Sequence, residues 1–415
     1  VAHGRQAAIG DALARILTFY GYKVTKEYFL NDEGNQINTL GESILYQYLS
    51  SYGKTMDFPE DGYRGEYIKN IALEIKKRHH EKFLKKYSDH KKFFSDYGVK
   101  YILNMIQTDL KDFGVHFDAW FSQKTLTREV VNRVLDDLRK RDYIYDKDGA
   151  VWFKSTTTGD EKDRVVVKSD GSYTYFAPDI AYHRIKFKKG FKKVINIWGP
   201  DHHGYVPRIK AAVKALGYEE DSIAVLLVQL ATLYRDGKAL SMSTRKGEFI
   251  TLKEVVDEVG KDVAKFFFLM RKLDSHLDFD LEVAKHQSTD NPVYYIQYAH
   301  ARIWSILSYS GKMKRNLAIK RLKLDVLKEK EELALSRILS QFPTYVSDGA
   351  KNLEPYYIIL YLNNLATLFH NFYTKHRVVT ENLDLSKARL FLVDCIRICL
   401  ANGLKLLGVS LPKKM

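Results

Sequence analysis

Apolar residues recur at helical spacing through Ile9, Leu13, Ile16, Leu17 and Tyr20, and Gly21 closes the run. This pattern predicts an amphipathic helix ending on a C′ glycine. A strand-like stretch, Lys23 to Phe29, follows at once. Turn, helix, glycine and strand make most of a βαβ unit whose first strand is missing. His3 then falls at the start of a helix, where free N–H groups and the dipole favour anions. A capping or surface histidine fits that position equally well.

From about 38 to 150 the pattern is largely helical and heavily charged, as in IALEIKKRHHEKFLKKYSDHKKFFSDY, and His79 and His80 read as members of solvated faces. A second βα alternation begins near 172. There SYTYF reads as a strand, and Pro178 suits the first turn of the helix after it. KVINIWG is a short apolar strand, YVPRIKAAVKALG a helix ending on Gly217, and SIAVLLVQL a strand of the kind buried in a parallel sheet. Asp236-Gly237 predicts a tight turn, and Thr251 with Glu254 predicts a capping box.

After DSHLDFD the period stays helical. NPVYYIQYAHARIWSIL, YYIILYLNNLATLFHNFYTKH and ARLFLVDCIRICLANGLKLLG read as long amphipathic helices of a bundle, with the dense basic stretch GKMKRNLAIKRLKLDVLKEKEEL among them. The expected fold class is α/β. Two half-Rossmann units span 1–278 around a charged helical insertion at roughly 57–170, and an all-α bundle spans 279–415.

Length and charge sharpen this picture. A chain of 415 residues has room for two or three cores. The net charge of +15 favours an acidic partner, nucleic acid being the commonest, with plain solubility as the competing explanation. No apolar run reaches membrane-spanning length and no signal peptide is visible. The two cysteines, Cys395 and Cys399, sit one turn apart in an apolar helix and read as buried thiols of a reducing compartment. With no CxxC pair, structural zinc is not expected. The protein is expected to be cytoplasmic.

The candidate chemistry lies in loops. WGPDHHGYVPR puts Gly199, Asp201, His202 and His203 just past the C-terminal end of a parallel strand, where ligands bind in open α/β sheets. An aspartate there can accept ribose hydroxyls. The Asp-His-His triplet lacks further metal ligands at useful spacing. LSMSTRKGEF is a polar cationic loop in which Ser241, Ser243, Thr244, Arg245 and Lys246 could grip phosphates.

Together these stretches resemble one family. VAHGR is similar to the end of the HxGH motif of class I aminoacyl-tRNA synthetases, and MSTRKG to their KMSK loop. The arginyl-tRNA synthetases match best, through VAHGRQAAIGDALARIL, NDEGNQI, YFAPDIAYHR, GPDHHGYVPR, MSTRKGEF, DNPVYYIQYAHARI and the terminal GVSLPKKM. The resemblance runs from Val1 to Met415 and is thinnest between about 311 and 350.

The resemblance implies a Rossmann-type catalytic domain over 1–278 and an anticodon-binding bundle of DALR type over 279–415. It implies ATP and Mg²⁺ as cofactors, arginine and tRNA-Arg as partners, no metal held by the protein, and a monomer. Ala2, His3, Gly4, Gly199, Asp201, His202, His203, Met242 and Ser243 would bind ATP. His3, Ser243, Arg245 and Lys246 would stabilise charge at the phosphates. Tyr175 and Asp179 would bind the substrate guanidinium, whose planar fork a lysine could not reproduce. Tyr373 and Met415 would meet anticodon bases, with Arg377, Lys314 and Arg315 on tRNA phosphates.

Three departures from the family pattern stand out. The first His of HxGH is absent, Ala2 replaces a glycine, and Ser241 and Thr244 occupy the places of the KMSK lysines. Two other readings remain at this point: a class I synthetase or related nucleotidyltransferase for another substrate, and a catalytically impaired, synthetase-like tRNA-binding protein.

Overall fold

The computed structural model describes residues 2–240, 250–288, 290–312 and 322–415. Helix α1 (Ala2–Phe19) buries most of its circumference, including Ile9, Ala12, Leu13 and Ile16. A helix apolar on several sides belongs inside a molecule, not on its face. Gly21, at φ 107°, ends the segment as the pattern predicts.

Four parallel strands follow in two pairs. β1 (Glu27–Leu30) pairs with β2 (Ala119–Ser122). β6 (Val194–Trp198) pairs with β7 (Ile223–Leu227). Between β1 and β2 run three helices, α2 (Asn35–Ser50), α3 (Glu66–His79) and α4 (Lys91–Asp112). They close on a core of their own, made by Leu40, Ile44, Tyr48, Ile68, Ile71, Ile75 and Phe94.

After β2 come α5 (Arg128–Lys140), an antiparallel meander of β3 (Ile144–Lys147), β4 (Ala150–Phe153) and β5 (Arg164–Val167), and α6 (Phe176–Lys188). These elements share a second core with α7 (Val206–Ala215). Next, β8 (Ala231–Arg235) turns back on β9 (Lys238–Ala239). Asp236 and Gly237 both hold positive φ, 49° and 73°, as a tight hairpin turn requires. The capping box of Thr251 and Glu254 opens α8 (Leu252–Val259), and α9 (Lys261–Leu269) leads into β10 (Leu277–Asp280), which pairs parallel with β8.

Short α10 (Leu281–Lys285) precedes the bundle of α11 (Pro292–Lys312), α12 (Lys330–Ser340), α13 (Phe342–Lys351), α14 (Tyr356–Lys375) and α15 (Leu383–Leu406). The bundle and α1 share one continuous core, in which Ile16 and Leu17 join Phe342, Tyr361 and Leu404. Burial on that scale, at roughly 1.5–3 kcal/mol per large apolar side chain, makes α1 a common strut for both halves.

The structure corrects several expectations. SYTYF is not a strand: only an isolated bridge from Tyr173 to Val167 forms, and the chain enters α6 at Phe176. Residues 23–26 lie outside β1, whose ladder begins at Glu27. The stretch to 150 contains strands β2 and β3 and the first residue of β4, because alternating IYDK and AVWF satisfy a hairpin better than a helix. His79 does not sit on a solvated face; its ring packs 5.4 Å from Phe83 and 5.2 Å from Phe93. Cys395 and Cys399 are half-buried free thiols on α15.

Candidate active site

The first turn of α1 carries Ala2, His3 and Gly4, and Arg5 fixes that turn in place. Arg5 has 0 % exposure. Its Nη1 donates to the carbonyls of Gln229 (2.8 Å) and Ser275 (2.9 Å), its Nη2 to Lys272 (2.9 Å) and its Nε to Phe268 (3.4 Å). Phe268 belongs to the last turn of α9, whose carbonyls lack helical partners and carry partial negative charge. A planar five-donor fork is suited to such a cluster. Burial lowers the Arg5 pKa, while Glu354 and Asp274 oppose it.

Further along α1, buried Asp11 accepts from Arg15 (2.8 Å) and Lys26 (2.8 Å) and lies 3.7 Å from Lys265. Burial works against ionising Asp11. The bonds from Lys26 and Arg15 outweigh it, and the pKa falls below its usual value. Lys265 also donates to the carbonyls of Gly114 and Gly408 (2.9 and 3.3 Å), so the helix is tied to the end of α4 and to the chain after α15. Arg5→Met should remove four donors and strand buried carbonyls. The expected loss is about 2–4 kcal/mol of stability, read as a lower urea midpoint at unchanged m, with Arg5→Lys recovering only part of it.

Opposite this helix end, β6 runs into the turn Pro200–Tyr205. A Cβ on Gly199 would come within 2.5 Å of Asp201 Oδ1, so a larger residue there would push this exposed carboxylate aside. Asp201, His202 and His203 are all exposed. His202 Nε2 is 3.6 Å from Asp201 Oδ2, and its ring packs 5.6 Å from Trp198. Burial lowers the His3 pKa although the residue is exposed overall, and Asp201 pulls the other way. Burial thus favours the neutral form of His3, within the field of Asp201.

The third piece is α6. Asp179 lies in its first turn, where Oδ2 accepts from Tyr205 Oη at 2.6 Å. Burial raises its pKa, while Tyr205, His202 and Lys186 pull it down. The Asp179 carbonyl accepts from His183 Nδ1 at 2.8 Å, and His183 Nε2 in turn accepts from Asn196 Nδ2 at 2.8 Å. Burial presses the His183 pKa down to about 3, so the ring stays neutral and its tautomer is set by these two bonds. Lys186 stands 4.0 Å over the Tyr182 ring, its pKa lowered by burial to about 8. Tyr182 donates to Glu27 at 2.6 Å. Tyr175, one turn before Asp179, is 84 % exposed.

His3, Gly199, Asp201, His202 and Asp179 thus share one locality, at the N-terminus of α1 and the C-terminal end of β6. Ala2 and Gly4 share the first turn. Met242, Ser243, Arg245 and Lys246 lie outside the described residues, as do Ser241 and Thr244. Among the described residues, the one group of His, Cys, Asp or Glu spaced to hold a metal is Glu329, Glu331 and His376, in the bundle. There Glu331 already pairs with Lys375 (2.7 Å) and His376 (3.1 Å). A Mg²⁺ carried by substrate phosphates and water needs few protein ligands, and the open turn at Asp201 is compatible with one.

A second cluster lies on the bundle. The guanidinium of Arg302 sits 5.1 Å from the rings of both Tyr298 and Tyr373, and Arg302 Nε is buried without a partner. Tyr373 is 36 % exposed and stacks on Phe369 at 6.0 Å. Arg377 is exposed one turn on. Met415 is exposed at the end of a tail held by His300 Nδ1 on the Pro412 carbonyl (2.9 Å) and by Lys413 over Trp304 (4.7 Å). Lys314 and Arg315 lie outside the described residues, together with Lys320 and Arg321. Sequence reasoning missed Arg5, Tyr205 and Arg302. The VAHGR, YVPR and YAHAR segments that contain them carry the family resemblance, but without a role for these three residues.

A Rossmann-type sheet with an anion-seeking helix end facing a Gly-x-Asp turn, joined to a helical bundle, has the architecture of a class I aminoacyl-tRNA synthetase. The sequence model for the catalytic domain of class I (R) tRNA synthetases matches residues 1–273, and that for the DALR anticodon-binding domain matches 296–415. An arginine–tRNA ligase of Citrifermentans bemidjiense is 51 % identical over the whole chain, which spans 76 % of that relative. A Campylobacter jejuni structure described as an arginyl-tRNA synthetase superposes with TM-score 0.89 at 34 % identity, covering 100 % of this chain and 90 % of that one. The Thermus thermophilus arginyl-tRNA synthetase shares the fold, with TM-score 0.75 at 22 % identity over 100 % of this chain and 80 % of that one. The chain belongs to the arginyl-tRNA synthetase family. No helix among the described residues is long and apolar enough to cross a membrane.

Proposed function

We propose that the chain ligates arginine to tRNA-Arg in two steps at the site between α1, α6 and the Pro200–Tyr205 turn. The arginine carboxylate attacks the α-phosphate of ATP, giving arginyl-adenylate and pyrophosphate. The 3′-terminal ribose hydroxyl of tRNA then takes the arginyl group and AMP leaves. Neither step needs a protein nucleophile; both need positioning and charge stabilisation.

The observation that carries this reading is the Asp179 carboxylate. It is recessed from water, Oδ2 is held by Tyr205, no further hydrogen bond to it is made among the described residues, and the exposed Tyr175 lies one turn earlier in the chain. That arrangement fits a planar cation with paired N–H donors. Ala2, His3 and Gly4 would receive the phosphates at the helix end, and Asp201 the ribose, with His202 and His203 beside the base. Ser243, Arg245 and Lys246 would hold the departing pyrophosphate, and bound Mg²⁺ would neutralise its charge. Residues 1–278 form the catalytic part in this reading, and 279–415 the part that reads the anticodon. The protein works as a cytoplasmic monomer. ATP–pyrophosphate exchange by the full-length protein tests the proposal: activity with arginine and tRNA-Arg is expected, and equal exchange with lysine or another amino acid would refute it.

The bundle cluster supports tRNA binding. Tyr373 presents a part-exposed ring against the Arg302 guanidinium, a face on which a splayed loop base could stack. Tyr373→Ala should weaken cognate tRNA by about 1–3 kcal/mol and a tRNA altered in its anticodon much less. Filter binding of both tRNAs, with a melting curve of the variant, checks this. Equal losses for the two, or a lower Tm, would assign the ring to packing.

A further inference from the structure

We propose that Tyr205 is a positioning residue for arginine selection. Its hydroxyl holds Asp179 Oδ2 so that the remaining carboxylate lone pairs face the guanidinium. The proposal rests on Asp179 being the guanidinium ligand.

The Tyr205 ring is fixed from three sides. Phe176 meets it edge-on at 5.9 Å, Trp198 packs at 5.9 Å, and the Arg208 guanidinium lies 5.6 Å from its centre. The hydroxyl therefore has little freedom, and it reaches Oδ2 at 2.6 Å, a short charge-assisted bond. Burial and the neighbouring carboxylate raise the Tyr205 pKa, so the phenol remains a donor throughout the working range. The main chain of Asp179 is engaged as well, since its carbonyl accepts from His183, which Asn196 orients. An ionised carboxylate accepts about four hydrogen bonds. One is taken by Tyr205, leaving enough for the two parallel N–H groups of a guanidinium.

Position in the chain adds a second consequence. Tyr205 ends the same turn that begins with Pro200 and carries Asp201 and His202. One hydroxyl thus joins the arginine pocket to the nucleotide side. Any shift of that turn would move the donor off Asp179 and release its rotamer.

Tyr205→Phe keeps the ring packing and deletes only the bond. In the full-length protein charging tRNA-Arg, KM for arginine should rise about tenfold, from loss of a hydrogen bond to a charged group, with kcat and KM for ATP within about twofold. The acid limb of kcat/KM for arginine should move to higher pH, because a donor that stabilises the carboxylate is gone. In an Asp179→Asn background the same change should add less than about twofold. A silent Tyr205→Phe beside a severe Asp179→Asn would overturn the positioning role and leave the arginine site standing. A silent Asp179→Asn would overturn the site itself. A Tyr205→Phe variant with a lower Tm and equally raised KM for arginine and ATP would make the residue structural.

Discussion

Replacing Asp179 with alanine is expected to lower kcat/KM for arginine by roughly 30- to 5,000-fold while KM for ATP stays within about threefold. The estimate follows from truncating one partner of a desolvated, hydrogen-bonded charge pair, at about 2–5 kcal/mol. The geometry explains why this carboxylate and no surface acid has that effect. Asp179 is recessed, bonded to Tyr205 and backed by the His183–Asn196 pair. Its orientation is prepared before substrate arrives.

The pH dependence has a definite sign. Burial raises the Asp179 pKa, so as pH falls the carboxylate protonates sooner than a solvated one would, and arginine affinity declines with it. Stability responds in the opposite sense. An acid whose folded pKa is raised binds more protons folded than unfolded, so the native state loses stability as pH rises from the unfolded pKa through the folded one. Asp179→Ala should therefore melt no lower than the parent at pH 7 while losing arginine. Steady-state kinetics in arginine and in ATP, beside a melting curve, checks both halves. A change under about threefold in kcat/KM would leave Asp179 as a first-turn helix acid.

The sequence displayed what short-range physics writes and hid what long-range contact decides. The α1 period, the Asp236-Gly237 hairpin and the Thr251–Glu254 cap were readable because each depends on neighbours within a few residues. SYTYF misled for the same reason: its aromatic alternation suits a strand, but Tyr173 has a partner only at Val167 and Phe176 is claimed by the core under α6. Arg5 reads as one polar residue in an amphipathic helix. Its carbonyl partners stand 224 to 270 residues away, and no local pattern announces them. Tyr205 and Arg302 were hidden in a similar way, as aromatic and basic residues that meet Asp179 and Tyr373 on other elements. The turn at 199–203 was legible because a glycine-acid turn after an apolar strand is a local signature with a general reason behind it.

His3→Ala should lower kcat about 100- to 1,000-fold with little change in KM for arginine or ATP. Such a pattern marks a donor whose bond strengthens as charge builds on the α-phosphate oxygens. The helix end is prepared for this, since its free N–H groups and dipole favour negative charge. Arg5 and Asp11 pin the helix against α9, so the imidazole cannot drift with the substrate. With its pKa lowered by burial, His3 donates as a neutral imidazole. The contribution should then not decline as pH rises through the range, about 6.5, where an ordinary histidine loses its proton. His3→Gln, which retains an N–H donor, should recover part of kcat. Single-turnover formation of adenylate separates chemistry from product release. A His3→Ala variant that raises KM for ATP at unchanged kcat would make His3 a ground-state ligand, and a fall in kcat that appears only below pH 7 would show that the proton, not the N–H dipole, is what the reaction uses.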